Sequence, residues 1–337
     1  HEVTFWGNMK RTALVIVTFK RQELLSNLLN SITQLTQAPW RIIVVDNENS
    51  SETASLVSDF SEKVKTLWGE TTTDPDVHGG TNRVCYVPME QNTGGSGGFS
   101  EGVRVGYELG AEWFWVMDDD VAVLPDGLDK LDAWSDKAEV IQGQRYDFDG
   151  GPFFWQYRFS TALGIYNPLA KAGFDGVAYR ECNVMCFEGA CFKRSVVQKI
   201  GLPDARFFIY WDDALYGYLA SKVTQPILIP DFVLSRCREV PGQSIGSVRQ
   251  LNSTSDMTRY YITRNRGYIA RYFQVHGDYN PVLFGVGTAL TFAKEIIRLI
   301  LVDRAHFSSG LSRLIKGWKD ARLIYKDATW RPQPPLD

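Results

Sequence analysis

The stretch Glu112–Asp120, Glu-Trp-Phe-Trp-Val-Met-Asp-Asp-Asp, constrains this chain more than any other. Five apolar residues in a row, Trp113 to Met117, lie between charged ends. With no polar residue alternating, the run predicts a strand covered on both faces, as in a parallel sheet. Three carboxylates then fall at the strand's carboxyl end, where open α/β sheets place their ligands. Adjacent anions repel unless neutralised, and Mg²⁺ or Mn²⁺ prefers oxygen ligands of this kind. In an extended segment alternate side chains share a face. Asp118 and Asp120 are therefore the candidate ligands of one divalent ion, with Asp119 pointing elsewhere. A solvated acidic turn is the plain alternative, but the position after a buried strand favours a metal–diphosphate site.

The segments before it have the same character. Ala13–Thr18 is a short β-branched run, hence a first buried strand, and Glu23–Leu35 follows with helical spacing of leucines. Arg41–Val45 reads as a second buried strand ending at Asp46-Asn47. Ser51–Phe60 reads as a helix with Ser50 or Ser51 as its cap. This order predicts parallel strands joined by right-handed crossovers. Thr18, Phe19 and Arg21 after the first strand, and Asp46 and Asn47 after the second, belong on the ligand edge. A carboxylate after a second strand can grip ribose hydroxyls or a base edge; Asp46 as a helix cap is equally open.

Glu70–Asn82 is polar and turn-rich, a surface insertion, and Cys85–Val87 is a further strand. Asn92-Thr93-Gly94-Gly95-Ser96-Gly97-Gly98-Phe99 then opens a helix expected at Ser100–Leu109. Its glycines let backbone approach a diphosphate or sugar, with helix N–H groups facing the anion. The run follows a later strand rather than the first, so the dehydrogenase fingerprint fails. Downstream, Pro125 suits the first turn of a helix reaching Trp134. Gln142–Arg180 reads as irregular and aromatic, Val184–Phe187 as a strand, and Lys193–Ile200 as a helix stopped by Gly201 and Pro203. Phe207–Asp213 is a second acidic site, in which an apolar approach to paired carboxylates can raise one of them towards use as a base. A helix N-cap is the alternative for the pair.

Composition sets bounds. At 337 residues, 44% hydrophobic and 13% aromatic, the chain is a folded protein of one large domain or two. A formal net charge of −3 offers no nucleic-acid footprint. Cys85, Cys182, Cys186, Cys191 and Cys237 form no CxxC pair and read as buried thiols of a reducing cytoplasm. No charged-then-apolar leader opens the chain. Residues 1–8 read as an appended segment, with native sequence beginning at Met9.

Taken together, Val15–Arg21, Val44–Asn47, the Asn92–Phe99 run and Asp118–Asp120 resemble family 2 glycosyltransferases with a GT-A fold. The doubled glycines before Phe99 are most similar to the galactofuranosyltransferases that build bacterial galactans. The likeness runs from about Ala13 to about Gly267. It implies a Rossmann-like α/β fold, a mostly parallel sheet flanked by helices, with a catalytic domain over 9–235 and a lid loop and helices over 236–337. It implies transfer of a sugar, galactofuranose from UDP-galactofuranose, to a hydroxyl of a lipid-linked glycan with inversion. Rhamnosyl or other hexosyl transfer, a non-catalytic nucleotide-sugar binder and a nucleotidyltransferase remain open alternatives.

The resemblance also assigns residues. Asp213 matches the second carboxylate of the family's Trp-Asp-Asp pair, the catalytic base, with Asp212 beside it. Gly189 and Ala190 match a segment beside the donor sugar, and Arg264 lies in an Arg-Asn-Arg that matches the family's. Asn92, Gly94, Gly95, Gly98, Asp118 and Asp119 complete the donor set. Trp155, in the aromatic segment, and Trp211 are candidate acceptor-stacking faces, although aromatics of this kind more often pack a core or a lid. The family's metal-site histidine is not found: its place falls near Arg236, and His1, His78, His276 and His306 are remote from it in sequence. Arginine cannot ligate a cation but can pair with diphosphate oxygens. From Pro281 to Val302 apolar residues are frequent but Lys294, Glu295 and Arg298 interrupt them, as in an interfacial or core-packed helix. Lys316, Lys319, Arg322 and Lys326, with Trp318 and Trp330, suit either peripheral contact with anionic lipid or an ordinary packed helix.

Overall fold

Uninterrupted apolar runs become the centre of the sheet. The structure, a computed structural model, describes residues 11–71, 82–245 and 249–337, and of 243–245 and 249–250 the backbone alone. Residues 1–8, His78 and most of the stretch at 70–82 lie outside the described residues. Strand β1 (Thr12–Thr18) is buried along its whole length and is followed by α1 (Gln22–Ile32), which turns Leu25, Leu28, Leu29 and Ile32 onto the sheet. Strand β2 (Arg41–Asp46) pairs with β1 in parallel, Thr18 opposite Asp46. Helix α2 (Ser51–Trp68) starts at the Ser50 hydroxyl, which accepts from the Thr53 N–H, and continues past Phe60 to Trp68. Strand β3 (Val84–Pro88) is parallel on the outer edge of β2. Helix α3 (Gly94–Leu109) leads to β4 (Trp113–Asp118), parallel to β1 on its other side.

Beyond β4 the chain departs from simple alternation. There follow β5 (Val121–Val123), α4 (Gly127–Asp132), β6 (Val140–Tyr146), β7 (Pro152–Phe153), the β8 (Phe159–Ser160) and β9 (Ile165–Tyr166) hairpin, and β10 (Arg180–Glu181). Then come β11 (Ala190–Lys193), α5 (Arg194–Ile200), α6 (Asp212–Ser221) and β12 (Ile227–Arg236). A hairpin of β13 (Gly242–Ile245) and β14 (Arg249–Asn252) precedes α7 (Asp256–Val275), α8 (Pro281–Leu301) and α9 (Phe307–Lys326). The ten-stranded sheet runs β10-β12-β6-β11-β4-β1-β2-β3, with β5 on β12 and β7 on β6. It is mostly parallel; β11 is antiparallel to both β4 and β6. The fold is α/β, with helices on both faces.

Four sequence expectations are corrected. Gln142–Tyr146 is not irregular but the body of β6, inside the sheet. Its inward polar groups hid the pattern: Gln142 accepts from the Cys186 N–H at 3.1 Å, and Gly143 leaves room for Val233. Val184–Phe187 is no strand. Its backbone is held by side chains, Cys186 by Gln142 and Phe187 by Asp213, and the strand begins later, at Ala190. Helix α3 starts at Gly94, six positions before Ser100, so the glycine run is helix and not loop. Helix α4 starts at Gly127, two positions after Pro125, whose carbonyl is tied to the loop after α1, accepting from the Thr36 N–H at 2.9 Å.

The C-terminal helices share the main core. Phe273 of α7 and Phe284 of α8 lie in one buried cluster with Phe159, Trp211 and Phe114. Helix α8 also meets the β8–β9 hairpin backbone to backbone, since a Cβ on Gly287 would stand 1.7 Å from the Leu163 carbonyl oxygen. Buried Arg266 closes that joint, donating to the carbonyls of Leu163, Gly164 and Phe284 and to the Thr288 hydroxyl. Its donors have no carboxylate partner there, and burial lowers its pKa to about 9. Another close approach lies under α6, where a Cβ on Gly217 would stand 2.0 Å from the Met185 nitrogen. Backbone cannot yield there. Gly217→Ala is expected to destabilise the fold by about 3 kcal/mol, read as a lower urea midpoint at unchanged m-value. An unchanged midpoint would contradict the packing described.

Candidate active site

Six pieces of chain meet at the carboxyl edge of the central strands. They bound a cleft of about 320 Å³, formed by Gly95 and Ser96 of α3, Asp118 of β4, Tyr166 of β9, Cys186–Glu188, Ile209–Trp211, and the Asp212–Asp213 pair opening α6. Asp118 of the first acidic cluster thus meets the second cluster, distant in sequence, in one cavity of a size suited to a small polar ligand.

The approach to the second cluster is strained. Phe208, Tyr210 and Trp211 hold φ at 61°, 74° and 69°, a region bulky residues rarely adopt, at about 1–3 kcal/mol each. Neighbouring elements enforce it. The Asn265 amide nitrogen lies 2.8–2.9 Å from the carbonyl oxygens of Phe207, Ile209 and Tyr210. The Trp211 indole N–H donates to the Ile262 carbonyl at 2.9 Å, and the Ser96 N–H to the Phe208 carbonyl. Arg264 donates to the Arg206 carbonyl at 2.6 Å and packs over Tyr261. The Arg-Asn-Arg segment therefore clamps the loop carrying the acidic pair.

The candidate donor residues divide by position. Thr18 and Arg21 reach Asp119, the hydroxyl at 2.8 Å and the guanidinium at 3.2 Å, which turns Asp119 towards β1. Phe19 is exposed beside them. Asp120 pairs with Arg21 and Arg238 at 3.4 and 3.3 Å. Asp46 is fully buried, its carboxylate accepting from the Glu48 and Ser50 N–H groups and from the Tyr86 hydroxyl, so it orders the loop after β2. Asn47 holds the start of α3 through the Gly94 carbonyl and the Thr93 N–H. Asn92 accepts from the Gly94 N–H at 3.0 Å.

Most of the glycines serve packing. A Cβ on Gly94 would meet the Phe208 carbonyl, on Gly97 the Thr93 side chain, and on Gly98 Val17; Gly95 alone of the four faces open space. Gly189 and Ala190 are fixed in the sheet beside β4, leaving Glu188 as the residue of that stretch in the cleft. Trp211 lines the cleft, stacked on Tyr166, whereas Trp155 lies in a separate pocket with Phe153 and Arg145. Arg236, where the family's histidine was sought, bonds Glu188 at 3.2 Å and Asp147 at 3.3 Å.

Sequence reasoning missed Arg145 and Glu188. Arg145 is buried and pairs with Glu188 at 2.6 Å, its charge reaching Asp213, Cys186 and Tyr166. The only signal was a charged residue within the pattern of β6. Tyr166 was lost in the segment read as irregular.

Burial dominates the electrostatics. It pushes Asp118 well above the usual carboxylate range, and repulsion from Asp120, Asp119 and Glu188 adds to the rise. Asp212 is pushed up to about 7 by burial and by Asp213. Burial raises Asp213 too, but the Ala214 and Phe187 N–H groups, at 2.8 and 3.3 Å, and the Arg145 charge oppose the rise. The two carboxyls thus differ in their surroundings, Asp212 raised by burial and its neighbour, Asp213 partly relieved by N–H groups and a cation. As a donor set for a divalent cation, Asp118 and Asp120 supply hard oxygens, Asp118 raised by its anionic neighbours and Asp120 paired with Arg21 and Arg238. Among the described residues no group of three or more side chains is arranged as a metal site, so a cation here would draw its remaining ligands from substrate oxygens and water.

A profile of the family described as Glycosyl transferase family 2 matches residues 13–201, more than half of the 337-residue chain. Galactofuranosyltransferase GlfT1 of Mycolicibacterium smegmatis is 27% identical over 272 residues, covering 76% of this chain and 81% of that protein. The structure of S. aureus TarS 1-349 in complex with UDP-GlcNAc superposes with a TM-score of 0.55 at 13% identity, over 94% of this chain and 81% of that one. The mannosyltransferase PcManGT from Pyrobaculum calidifontis, in complex with GDP-Man and Mn2+, gives 0.51 at 14% identity, over 90% of this chain and 74% of that one. These likenesses concern architecture, which is of the GT-A type.

The elevated Asp212 pKa has a consequence for stability. Its carboxyl ionises near pH 3.8 unfolded and near pH 7 folded, so its burial is harmless below the first value and opposes folding fully above the second. Asp212→Asn is expected to raise the melting temperature relative to wild type more at pH 8 than at pH 5. A difference independent of pH would refute the raised pKa.

Proposed function

The chain belongs to glycosyl transferase family 2, and from that premise we propose that it is an inverting galactofuranosyltransferase. It moves galactofuranose from UDP-galactofuranose to a hydroxyl of a lipid-linked glycan, on the cytoplasmic side of the membrane. The observation that carries this reading is the meeting of Asp118 with Asp212 and Asp213 in one cleft. The relative from Mycolicibacterium smegmatis, named a galactofuranosyltransferase, supports the choice of sugar.

In this reading the acceptor hydroxyl oxygen attacks the anomeric carbon from the face opposite the diphosphate. Asp213 takes the hydroxyl proton, the bond from the anomeric carbon to the diphosphate oxygen breaks, and UDP leaves with that electron pair. Asp213 is suited to this because two N–H groups orient it and, with the Arg145 charge, oppose the rise that burial imposes. A positioned base contributes on the order of 10²–10⁴ in rate. Thr18, Arg21 and Asn92 border the nucleotide end, and Trp211, its ring stacked on Tyr166, forms part of the wall on the acceptor side. A divalent cation, with Asp118 and Asp120 as its protein ligands, would supply charge offset on the leaving diphosphate. Arg236, near the family histidine's place in sequence, is paired with Glu188 and Asp147, and through Glu188 it reaches the cleft lining.

Asp213→Asn is expected to lower transfer by on the order of 10²–10⁴ while UDP binding, followed calorimetrically, stays near wild type. Full turnover by that variant would remove Asp213 as the base. In a thermal-shift screen with Mn²⁺, UDP-galactofuranose is expected to raise the melting temperature more than other nucleotide sugars do. A larger shift with a rhamnosyl donor would reassign the sugar, and binding with no glycosylated product would point to a non-catalytic role.

A further inference from the structure

The outward face of α8 is apolar along its full length. Its exposed residues are all apolar, glycine or proline apart from Lys294. Val282, Val286, Leu290, Ala293, Ile297 and Leu301 recur every three or four positions and form one stripe. The large side chains are 40–75% exposed, Val282 most. The opposite face is spent within the protein, where Phe284, Gly287, Thr291, Glu295 and Leu299 are buried. A surface helix ordinarily shows its polar side to water, and this one does the reverse. No helix among the described residues is long and apolar enough to cross a membrane, so α8 lies along a surface rather than through one.

Charge indicates what covers this face. Residues 281–326 hold eight Lys and Arg against three Asp and Glu, although the chain as a whole has a formal net charge of −3. Glu295 and Asp303 are buried, and Asp320 is half-buried and paired with Lys316. The exposed charges are therefore all basic: Lys294, then Arg304, Arg313, Lys316, Lys319, Arg322 and Lys326 on α9 and the turn before it. Trp318, exposed on α9 with Arg322 against its ring, is the amphipathic aromatic favoured at a lipid–water boundary. An apolar stripe on a span whose exposed charges from 281 to 326 are all basic, with exposed Asp327 following only at the end of α9, matches an anionic bilayer. We infer that α8 and α9 form a peripheral docking surface for anionic lipid, the α8 stripe entering the headgroup boundary and the basic residues meeting lipid phosphates.

The inner side of α8 adjoins the cleft. Phe284 of α8 packs on Gly164 of the β8–β9 hairpin, and Tyr166 of that hairpin lines the cavity. Tyr210, also in the cavity, feels the charges of Glu295 and Arg298 on the inner face of α8. A lipid-anchored acceptor would thus meet the cleft beside the surface that binds its membrane. The docking surface itself does not depend on the catalytic roles assigned above.

Flotation with phosphatidylcholine vesicles, with and without phosphatidylglycerol, tests the inference. Wild type is expected to float with the anionic vesicles, to remain behind with the neutral ones, and to lose binding as salt is raised. Leu290→Glu with Ile297→Glu should weaken partitioning at least about tenfold. Lys316→Glu with Lys319→Glu and Arg322→Glu should weaken it about a hundredfold. Transfer to a water-soluble acceptor is expected to stay at the wild-type level in both, which reports their folding and tests the catalytic reading separately. Failure of wild type to bind anionic vesicles, or equal binding by the variants, overturns the inference. So does a dimer in sedimentation that Leu290→Glu with Ile297→Glu dissolves while vesicle binding persists, since the stripe would then join two copies of the chain.

Discussion

The site depends on one amide. Asn265 of α7 gathers the carbonyls of Phe207, Ile209 and Tyr210, and with that grip three bulky residues tolerate left-handed backbone. Relaxation of this segment would swing the first turn of α6 away from β4 and separate the two acidic clusters. Because an amide donor buried among carbonyls has no competing water, its bonds are worth more than at a surface. The strain is local, whereas its support comes from helices after the sheet. The C-terminal helices are therefore part of the cleft's construction and not an appendage to it.

Uncompensated negative charge is the second organising constraint. Asp118, Asp119, Asp212 and Asp213 all sit where burial disfavours ionisation. Asp119 is relieved by Thr18 and Arg21, and Asp213 by two N–H groups and Arg145. Asp118 has no such partner close enough to cancel its neighbours, and Asp212 is opposed by Asp213. The relieved members are oriented and the unrelieved ones await positive charge or a proton. This division, rather than the number of acids, gives the cleft distinct chemical positions.

Much of the sheet was legible because its inner strands are unbroken apolar runs. Residues Ala13–Val17, Ile42–Val45 and Trp113–Met117 allow no other reading. The two acidic clusters were legible for the same reason, since each follows an apolar approach. Strand β6 was not, because Gln142 and Arg145 point inward and find partners remote in sequence, at Cys186 and Glu188. No local pattern encodes such pairings. The glycine run was read for its backbone freedom, but Gly97 and Gly98 are there for closeness to Thr93 and Val17. In the Arg-Asn-Arg segment the charged members drew attention, yet the neutral one between them holds the loop.

The joint between α8 and the β8–β9 hairpin carries a mechanical consequence. Gly287 meets the Leu163 carbonyl without room for a methyl group, and Arg266 rivets both sides through four oxygen atoms. Such a seam has no slack, so a tilt of the helix drags the hairpin, and Tyr166 with it. The aperture above Asp213 is geared to the seat of α8, as a door frame moves with its sill.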